Sequence, residues 1–176
     1  MDKPDRFETP RLVGVPLSAR DAEGFCRMKA DPVGTAAYFA LPLTKDAALH
    51  KLARLMADHR ADAAYTYALY LKQNDAFIGT IVLWNLDAER HQGEVGYELL
   101  QASWGRGYMK ETLPAFLRHM RDTRGYSTFT ACPGENNAAS NRLLLGAGFT
   151  PEGSAVEDGH TLNLYRLVMP EITPGG

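Results

Sequence analysis

The chain has 176 residues, of which 45% are hydrophobic, and a formal charge of -2 at pH 7. This size can bury a sizeable core, so we expect a single domain over residues 1–176. The near-neutral charge argues against nucleic acid or an anionic membrane as the partner. The sequence has no apolar run of the roughly 20 residues that a membrane span needs, and its charged start does not resemble a signal peptide, which indicates a cytoplasmic protein.

The first half of the chain predicts a strand, two helices and a β-hairpin. These elements fall at residues 11–15, 18–30, 44–62, 64–71 and 77–84. Ser18 and Asp21 have the spacing of a capping box at the start of the first helix. Asp31-Pro32 should end that helix, and Thr44 can cap the second.

The second half predicts strands and helices in alternation. They fall at residues 93–100, 108–123, 126–132, 137–147, 149–155 and 161–169. Pro114 lies inside the long helix, where a proline costs about 3 kcal/mol, so we expect a kink there rather than a break. Because the helices interrupt the strands irregularly, a mixed sheet with helices on both faces fits better than an all-parallel sheet.

The turn that joins the strand at 93–100 to the long helix predicts an anion site. It reads Trp104-Gly105-Arg106-Gly107-Tyr108-Met109. A helix N-terminus after a tight glycine turn presents unpaired N–H groups and the positive end of the helix dipole. The sequence therefore indicates a phosphate ester as the ligand.

Two other glycine loops that bind phosphates are disfavoured by spacing. A dinucleotide fingerprint needs a third glycine where this chain has Lys110, and it needs an acidic residue about 20 positions later that is missing here. A P-loop needs a Gly-Lys-Ser/Thr ending, whereas this turn continues as Gly107-Tyr108-Met109. Glycines that form only a tight structural turn are the remaining alternative.

The turn resembles the pyrophosphate loop of the GNAT superfamily of acetyl-CoA-dependent N-acyltransferases. A second segment, Asn137-Ala138-Ala139-Ser140 with Gly148-Phe149 after it, is similar to the Asn-x-x-Ser segment and Gly-Phe ending of that superfamily. Nearly the whole chain resembles the RimJ/RimL-like branch, the ribosomal-protein alanine N-acetyltransferases. The segments that carry this likeness are Glu8-Thr9-Pro10-Arg11-Leu12, Phe77-Ile78-Gly79-Thr80-Ile81, Glu94-Val95-Gly96-Tyr97-Glu98-Leu99 and Tyr165-Arg166-Leu167.

The resemblance implies an α/β (α+β) fold of the GNAT type. Its central sheet would be mixed and mostly antiparallel, with about seven strands, helices on both faces and a splay between strands four and five. It also implies acetyl transfer from acetyl-CoA to a primary amine, either a protein N-terminus or a small molecule, by direct attack in a ternary complex. Relatives of this kind are often dimers, so a homodimer is one expected assembly.

Acetyl transfer to an amine requires an unprotonated nucleophile, which a nearby base can supply. An α-amino group has a pKa near 8 and a lysine one near 10.4, so at neutral pH both are mostly protonated. Glu94 and Glu98 alternate onto one face of the strand that enters the glycine turn. Glu94 is the first choice for the base, Glu98 the second, and solvent a third.

The thioester needs polarisation, and the departing thiol benefits from a proton donor. In the superfamily the splayed strand offers free backbone groups, which places an N–H near Leu99 or Leu100 against the thioester oxygen. Many members have a tyrosine seven residues after the capping asparagine, but this chain has Leu144 there. Ser140 is the remaining hydroxyl, and it either protonates the sulfur or only orients the cofactor.

The residues expected to bind acetyl-CoA come from these segments and from nearby cations. They are Leu99, Leu100, Gln101, Trp104, Gly105, Arg106, Gly107, Tyr108, Met109, Lys110, Asn137, Ser140 and Arg142. The five histidines show no metal-ligand spacing, so no metal is expected, and the two cysteines are expected to be free thiols. Tyr38-Phe39 lies where the superfamily builds its acceptor pocket, while most of the tyrosines at 65, 67 and 70 are expected to pack in the core or at its edge.

Three functional alternatives remain after this reasoning. The acceptor could be an antibiotic or a polyamine instead of a protein N-terminus, and acidic residues around the pocket would favour a polyamine. A non-catalytic acyl-CoA sensor would explain Leu144 and the uncertain base. A structural module is the least favoured, because a scaffold needs neither the glycine turn nor the asparagine-serine helix start.

Overall fold

The computed structural model describes residues 4–172, and an open sheet of eight strands forms its centre. The strands are β1 (Phe7–Glu8), β2 (Leu12–Pro16), β3 (Tyr65–Leu71), β4 (Phe77–Asp87), β5 (Gln92–Leu99), β6 (Thr128–Ala131), β7 (Thr150–Glu157) and β8 (His160–Val168). The helices are α1 (Ala22–Ala30), α2 (Pro32–Ala36), α3 (Lys45–Arg60), α4 (Tyr108–Arg124) and α5 (Ala138–Gly146). The spatial order is β1-β2-β3-β4-β5-β6-β8-β7, and only β5 and β6 are parallel.

The predicted mixed sheet with helices on both faces is confirmed. Alternation along β3 shows how it is covered, because Tyr65, Tyr67 and Leu69 pack into one core while Ala68 and Tyr70 pack into another. The first core lies between the sheet and α4 with α5, and the second lies between the sheet and α1 with α3. The three tyrosines of β3 are therefore core residues, as expected.

The sheet opens between β5 and β6. Their parallel pairing covers only residues 92–94 of β5 and 128–130 of β6. Beyond this point β5 continues to Leu99, paired with β4 on its other side. The expected splay is present, but it separates the fifth and sixth strands, because the two-residue strand β1 adds one to the count.

Two local features differ from the sequence predictions or refine them. Asp31-Pro32 ends α1 as predicted but also starts α2, which was not predicted: the Asp31 carboxylate accepts a hydrogen bond from the Val33 N–H at 3.0 Å, and proline suits a first helical position. The long helix α4 is continuous through Pro114, so the proline does not break it.

Asp5 connects the start of the described chain to three elements of the fold. Its Oδ1 accepts a hydrogen bond from the Tyr67 hydroxyl at 2.5 Å and lies 3.0 Å from Nε2 of His119. Its Oδ2 lies 3.0 Å from Nε2 of His59 and 2.9 Å from a guanidinium nitrogen of Arg124. Burial opposes ionisation, but the two histidines, Tyr67 and Arg124 together hold the pKa of Asp5 well below its usual range.

Candidate active site

The glycine turn has the geometry that an anion site requires. Gly105 and Gly107 adopt φ of +70° and +77°, a left-handed conformation that side chains with a Cβ rarely adopt. Helix α4 begins at Tyr108, and the first amide paired with a carbonyl of the turn is that of Glu111, which donates to Gly107 at 3.3 Å. The preceding N–H groups therefore point out of the helix start, towards an incoming anion.

Side chains around the turn divide into buried and exposed groups. Tyr108 and Met109 are buried, so these two residues can face a ligand only through their backbone. Arg106 and Lys110 are exposed beside the turn, and Arg142 is exposed on α5. A ligand at the turn would thus meet backbone amides first and exposed cationic side chains around them.

A contact that the sequence did not reveal holds the turn to the N-terminal region. Glu111 in the first turn of α4 accepts hydrogen bonds from the Thr9 hydroxyl and from Nε of Arg11, both at 2.5 Å. Arg11 also donates to the carbonyl of Arg106 at 2.9 Å, and its guanidinium lies 4.5 Å from the ring centre of Tyr108. The Arg11 side chain therefore fixes the backbone of the turn from behind.

The register of β5 determines which backbone amide faces the open edge. The Leu100 N–H donates to the Ile78 carbonyl at 2.8 Å, whereas Leu99 is paired with Gly79 one position away. Because hydrogen-bonded and non-hydrogen-bonded pairs alternate in an antiparallel ladder, the Leu99 N–H points away from β4, into the gap next to β6. The Leu99 carbonyl accepts a hydrogen bond from the Trp104 indole at 3.0 Å, and Gln101 follows in an exposed turn of 3₁₀ helix.

The start of α5 places Ser140 next to this gap. Asn137 caps the helix, since its side-chain oxygen accepts a hydrogen bond from the Ser140 N–H at 3.2 Å. Ser140 is buried, and its Oγ lies 2.5 Å from the hydroxyl of Tyr97 on β5. Leu144, at the position where many superfamily members have a tyrosine, is fully buried in the core below α5.

A cavity of about 330 Å³ extends from Ser140 and Asn137 towards the β7–β8 turn. Its remaining walls are Ala37, Tyr38, Phe39, Cys132, Pro133, Gly134, Glu157, Asp158, His160 and Leu162. The ring of Phe39 stacks on His160 with 3.9 Å between centroids and closes one side. Gly134 allows this closure, because a Cβ there would lie 2.6 Å from Cζ of Phe39.

Glu94 lies near this cavity, close to two of its lining residues, Glu157 and Cys132. Burial and the nearby charge of Glu157 raise the pKa of Glu94 above its usual value, against an opposing contact from Asn85. Burial, with the charges of Glu94 and Glu157, also raises the pKa of Cys132 to about 11. Cys132 and Cys26 are both free thiols, and Cys132 is therefore uncharged at neutral pH.

Glu98 lies on the same face of β5 but in a different environment. Its carboxylate is 2.5 Å from the ammonium of Lys29 on α1, and both side chains are largely buried. Burial, together with the charge of Lys29, lowers the pKa of the neighbouring Lys51. Glu98 is thus paired with a cation, whereas the charged neighbour of Glu94 is the carboxylate of Glu157.

These observations define a class of protein. A mixed sheet that opens beside β5, a glycine turn at a helix N-terminus on that edge, and a capped helix with a buried hydroxyl opposite it form the architecture of an acyl-CoA-dependent N-acyltransferase. The chain belongs to the acetyltransferase (GNAT) domain family, whose sequence model matches residues 11–150. It is therefore an acetyltransferase, as the sequence resemblance implied.

Comparisons with individual proteins agree with this assignment. The chain is 27% identical to the uncharacterized N-acetyltransferase YoaA of Bacillus subtilis over 93% of its own length and 97% of the relative's. It is 30% identical to the ribosomal protein uS5-alanine N-acetyltransferase of Escherichia coli over 66% of its own length and 64% of the relative's, which supports the RimJ/RimL-like branch. The fold is similar to that of the Vibrio cholerae spermidine N-acetyltransferase solved with CoA and spermine, with a TM-score of 0.80 at 16% identity, covering 92% of this chain and 97% of the other.

Two features are absent from residues 4–172. No helix there is both long and apolar enough to cross a membrane. No group of three or more histidine, cysteine, aspartate or glutamate side chains in that range is arranged to hold a metal ion.

Proposed function

We propose that the protein transfers the acetyl group of acetyl-CoA to a primary amine by direct attack in a ternary complex. The observation that carries this proposal is that a free amide, a hydroxyl and a carboxylate lie around one gap in the sheet. The Leu99 amide points into the gap next to β6, Ser140 borders it from α5, and Glu94 lies where β5 and β6 part.

The cofactor would bind along the edge that leads from the glycine turn to Ser140. The N–H groups at the start of α4 would take the pyrophosphate, and Arg106, Lys110 and Arg142 would neutralise phosphate charge. The β6-facing backbone of β5, up to Leu99, would bind the amide-containing arm in the manner of an additional strand. When bound, acetyl-CoA supplies the acyl group and a thiol leaving group.

Glu94 is the group best suited to remove a proton from the amine, directly or through a water. A base works best when its pKa is near the working pH, and burial shifts the pKa of Glu94 upward from its usual acidic value. The carboxylates of Glu157 and Asp158 in the nearby cavity would attract a cationic amine before it loses its proton.

The Leu99 amide and Ser140 would act at the other end of the reacting group. The Leu99 N–H would donate to the carbonyl oxygen as that oxygen gains negative charge, a role that depends on backbone position and not on side-chain identity. The Ser140 hydroxyl would donate to the departing sulfur, whose reference pKa near 8.5 makes such help useful at neutral pH.

The cavity favours a small cationic amine over a protein N-terminus as the acceptor. Phe39 and His160 close the cavity on one side, and its volume of about 330 Å³ suits a short chain rather than an extended peptide. Its walls carry Glu157 and Asp158 but no lysine or arginine. The acidic wall fits a second positive charge on the acceptor.

Thiol release from acetyl-CoA with a panel of amines tests this function. The panel should include spermidine, a monoamine and a short peptide with a free N-terminus, with mass spectrometry of each product. We expect saturable turnover with at least one of the amines, fastest with those of more than one charge. If CoA binding were saturable but no amine caused thiol release from acetyl-CoA, the protein would be an acyl-CoA sensor and not an enzyme.

CoA calorimetry tests the binding half of the proposal separately. Arg106→Gln should weaken CoA binding, whereas Arg118→Gln provides a matched control, since Arg118 is exposed on α4, the helix that follows the turn. Failure of the wild-type protein to bind CoA would leave only a structural role.

A further inference from the structure

Tyr97 is a residue to which the proposed chemistry has so far assigned no role. Its side chain extends from β5 to the α5 side of the sheet, where its hydroxyl lies 2.5 Å from Oγ of Ser140. The ring packs against the core on that side, next to buried residues of the sheet and of α5. The two hydroxyls are thus held together by secondary-structure elements that come from opposite sides of the gap.

We propose that Tyr97 is a positioning residue for thiol release: it donates its hydroxyl hydrogen to Ser140, and this directs the Ser140 hydrogen towards the sulfur of acetyl-CoA. The inference rests on the proposed function. The missing tyrosine at Leu144 is thereby replaced by a phenol that reaches the same region from a strand instead of a helix.

The direction of the hydrogen bond follows from the acidity of the two groups. A phenol is a stronger acid, and so a better hydrogen-bond donor, than an aliphatic alcohol. Tyr97 therefore donates and Ser140 accepts, which leaves the Ser140 hydrogen free for another acceptor. With the opposite direction, the only hydrogen on Ser140 Oγ would be committed to Tyr97 and none would be available for sulfur.

Tyr97 keeps its own proton during the reaction. Burial, with the neighbouring Tyr165, raises its pKa to about 12, although the contact with Ser140 opposes this shift. The reference thiol pKa near 8.5 is several units lower, so transfer of the Tyr97 proton to a thiolate is uphill. Tyr97 thus acts through Ser140 and is not the acid itself.

Hydrogen bonds of Asn141 hold the start of α5, and with it Ser140, in place. Asn141 accepts hydrogen bonds from the Tyr165 hydroxyl at 2.7 Å and from the Asn163 amide at 2.8 Å. It donates to the Asn137 carbonyl at 2.7 Å and to the Gly134 carbonyl at 3.0 Å. Ser140 therefore has little freedom to follow the sulfur, and the direction of its O–H bond decides whether it can donate.

A double-mutant cycle on turnover tests the coupling between the two hydroxyls. Tyr97→Phe should lower kcat roughly tenfold with little change in KM for the amine, since one hydrogen bond is worth about one factor of ten at most. The Tyr97→Phe/Ser140→Ala double variant should be no slower than Ser140→Ala alone, because Tyr97 acts only through Ser140. Tyr65→Phe is the matched control: it removes a phenol hydroxyl from the same face of the sheet, where that hydroxyl donates to Asp62 and not to α5, and it should leave kcat unchanged.

A second measurement on the same variants does not depend on turnover. The absorbance of the CoA thiolate, followed across pH in the complex with free CoA, reports the pKa of the bound thiol. Tyr97→Phe should raise that pKa by about one unit relative to wild type, because the hydrogen bond to the sulfur is weakened. Tyr65→Phe should leave it unchanged.

The possible outcomes distinguish a failure of this inference from a failure of the proposed function. Wild-type turnover with an unchanged kcat in Tyr97→Phe, or independent losses that multiply in the double variant, would overturn the role of Tyr97 alone. An unchanged thiol pKa in Tyr97→Phe would also overturn it. Absence of turnover in the wild type would overturn the proposed function, while the thiol pKa of bound CoA would still decide the inference.

Discussion

Glu98 on β5 and Lys29 on α1 form an ion pair in which Nζ lies 2.5 Å from Oε2 and the side chains are only 10% and 16% exposed. This pair distinguishes the two glutamates that alternation places on one face of β5. Glu98 accepts a hydrogen bond from a cation and joins the sheet to α1, whereas the charged neighbour of Glu94 is the carboxylate of Glu157. We therefore keep Glu94 as the proposed base and propose a structural role for Glu98.

Removal of one member of the Lys29–Glu98 pair should destabilise the protein without removing activity. Lys29→Met leaves a charge without its partner, which costs about 3–5 kcal/mol in fully buried pairs, so we expect about 2 kcal/mol for this partly exposed one. The Lys29→Met/Glu98→Leu double variant should regain most of that loss. Urea denaturation measures both effects, and Glu98→Gln should keep thiol release within a few-fold of wild type. A loss of kcat in Glu98→Gln as large as that in Glu94→Gln would assign the base to Glu98.

Arg11 should affect CoA affinity although it need not touch the cofactor. Arg11→Met removes the hydrogen bonds to Glu111 and to the Arg106 carbonyl, so the backbone of the glycine turn loses its support. We expect CoA to bind roughly tenfold more weakly, equivalent to about 1.4 kcal/mol. Calorimetry with CoA measures this change, and Arg118→Met is the control on the exposed side of α4. Equal affinities of Arg11→Met and wild type would show that the turn is rigid by itself.

Asp5 should make stability dependent on pH in the acidic range. Its pKa in the folded protein lies well below the unfolded value near 3.9, so its contribution is complete above about pH 5 and is lost as the pH falls through the lower, folded value. Asp5→Asn should lower the free energy of unfolding at neutral pH by about 2 kcal/mol and should flatten its decline in acid. Urea midpoints across pH test this, with Glu135→Gln as an exposed control. If the free energy of unfolding declined in acid to the same extent in Asp5→Asn and in wild type, the contacts of Asp5 would not be the source of that decline.

Gly134→Ala should open the side of the cavity that Phe39 and His160 close, without a change to either of these two residues. Gly134→Ala places a Cβ 2.6 Å from Cζ of Phe39, so the ring must move off His160. We expect kcat/KM to fall for small amines and to rise for bulkier ones, with CoA affinity unchanged. Gly146→Ala is the matched control, because its added Cβ meets no atom within 4 Å and alanine favours the helix. An unaltered acceptor preference in Gly134→Ala would remove Phe39 from the determinants of specificity.

Much of this site can be predicted from local sequence patterns, whereas its contacts between distant residues cannot. The glycine turn, the Asn137 cap and the shared face of Glu94 and Glu98 follow from spacing, because each depends on residues within a few positions of one another. The pairs Arg11–Glu111, Lys29–Glu98 and Tyr97–Ser140 are separated by 100, 69 and 43 residues. No periodicity encodes such contacts, which arise only when the sheet order brings distant segments together. Helix α2 was missed for a local reason, since Asp-Pro signals a helix start as well as a helix end.

The dependence of thiol release on pH in wild type and Glu94→Gln tests the central claim most directly. At saturating acetyl-CoA we expect Glu94→Gln to be about a hundredfold slower near neutral pH, with a gap that narrows as the pH approaches the pKa of the amine. CoA affinity should not change, and stability at neutral pH should not fall, because a carboxyl whose pKa is raised by folding is unfavourable when ionised. Overlapping wild-type and Glu94→Gln profiles across the range would contradict the claim that Glu94 is the base of an acetyl transfer.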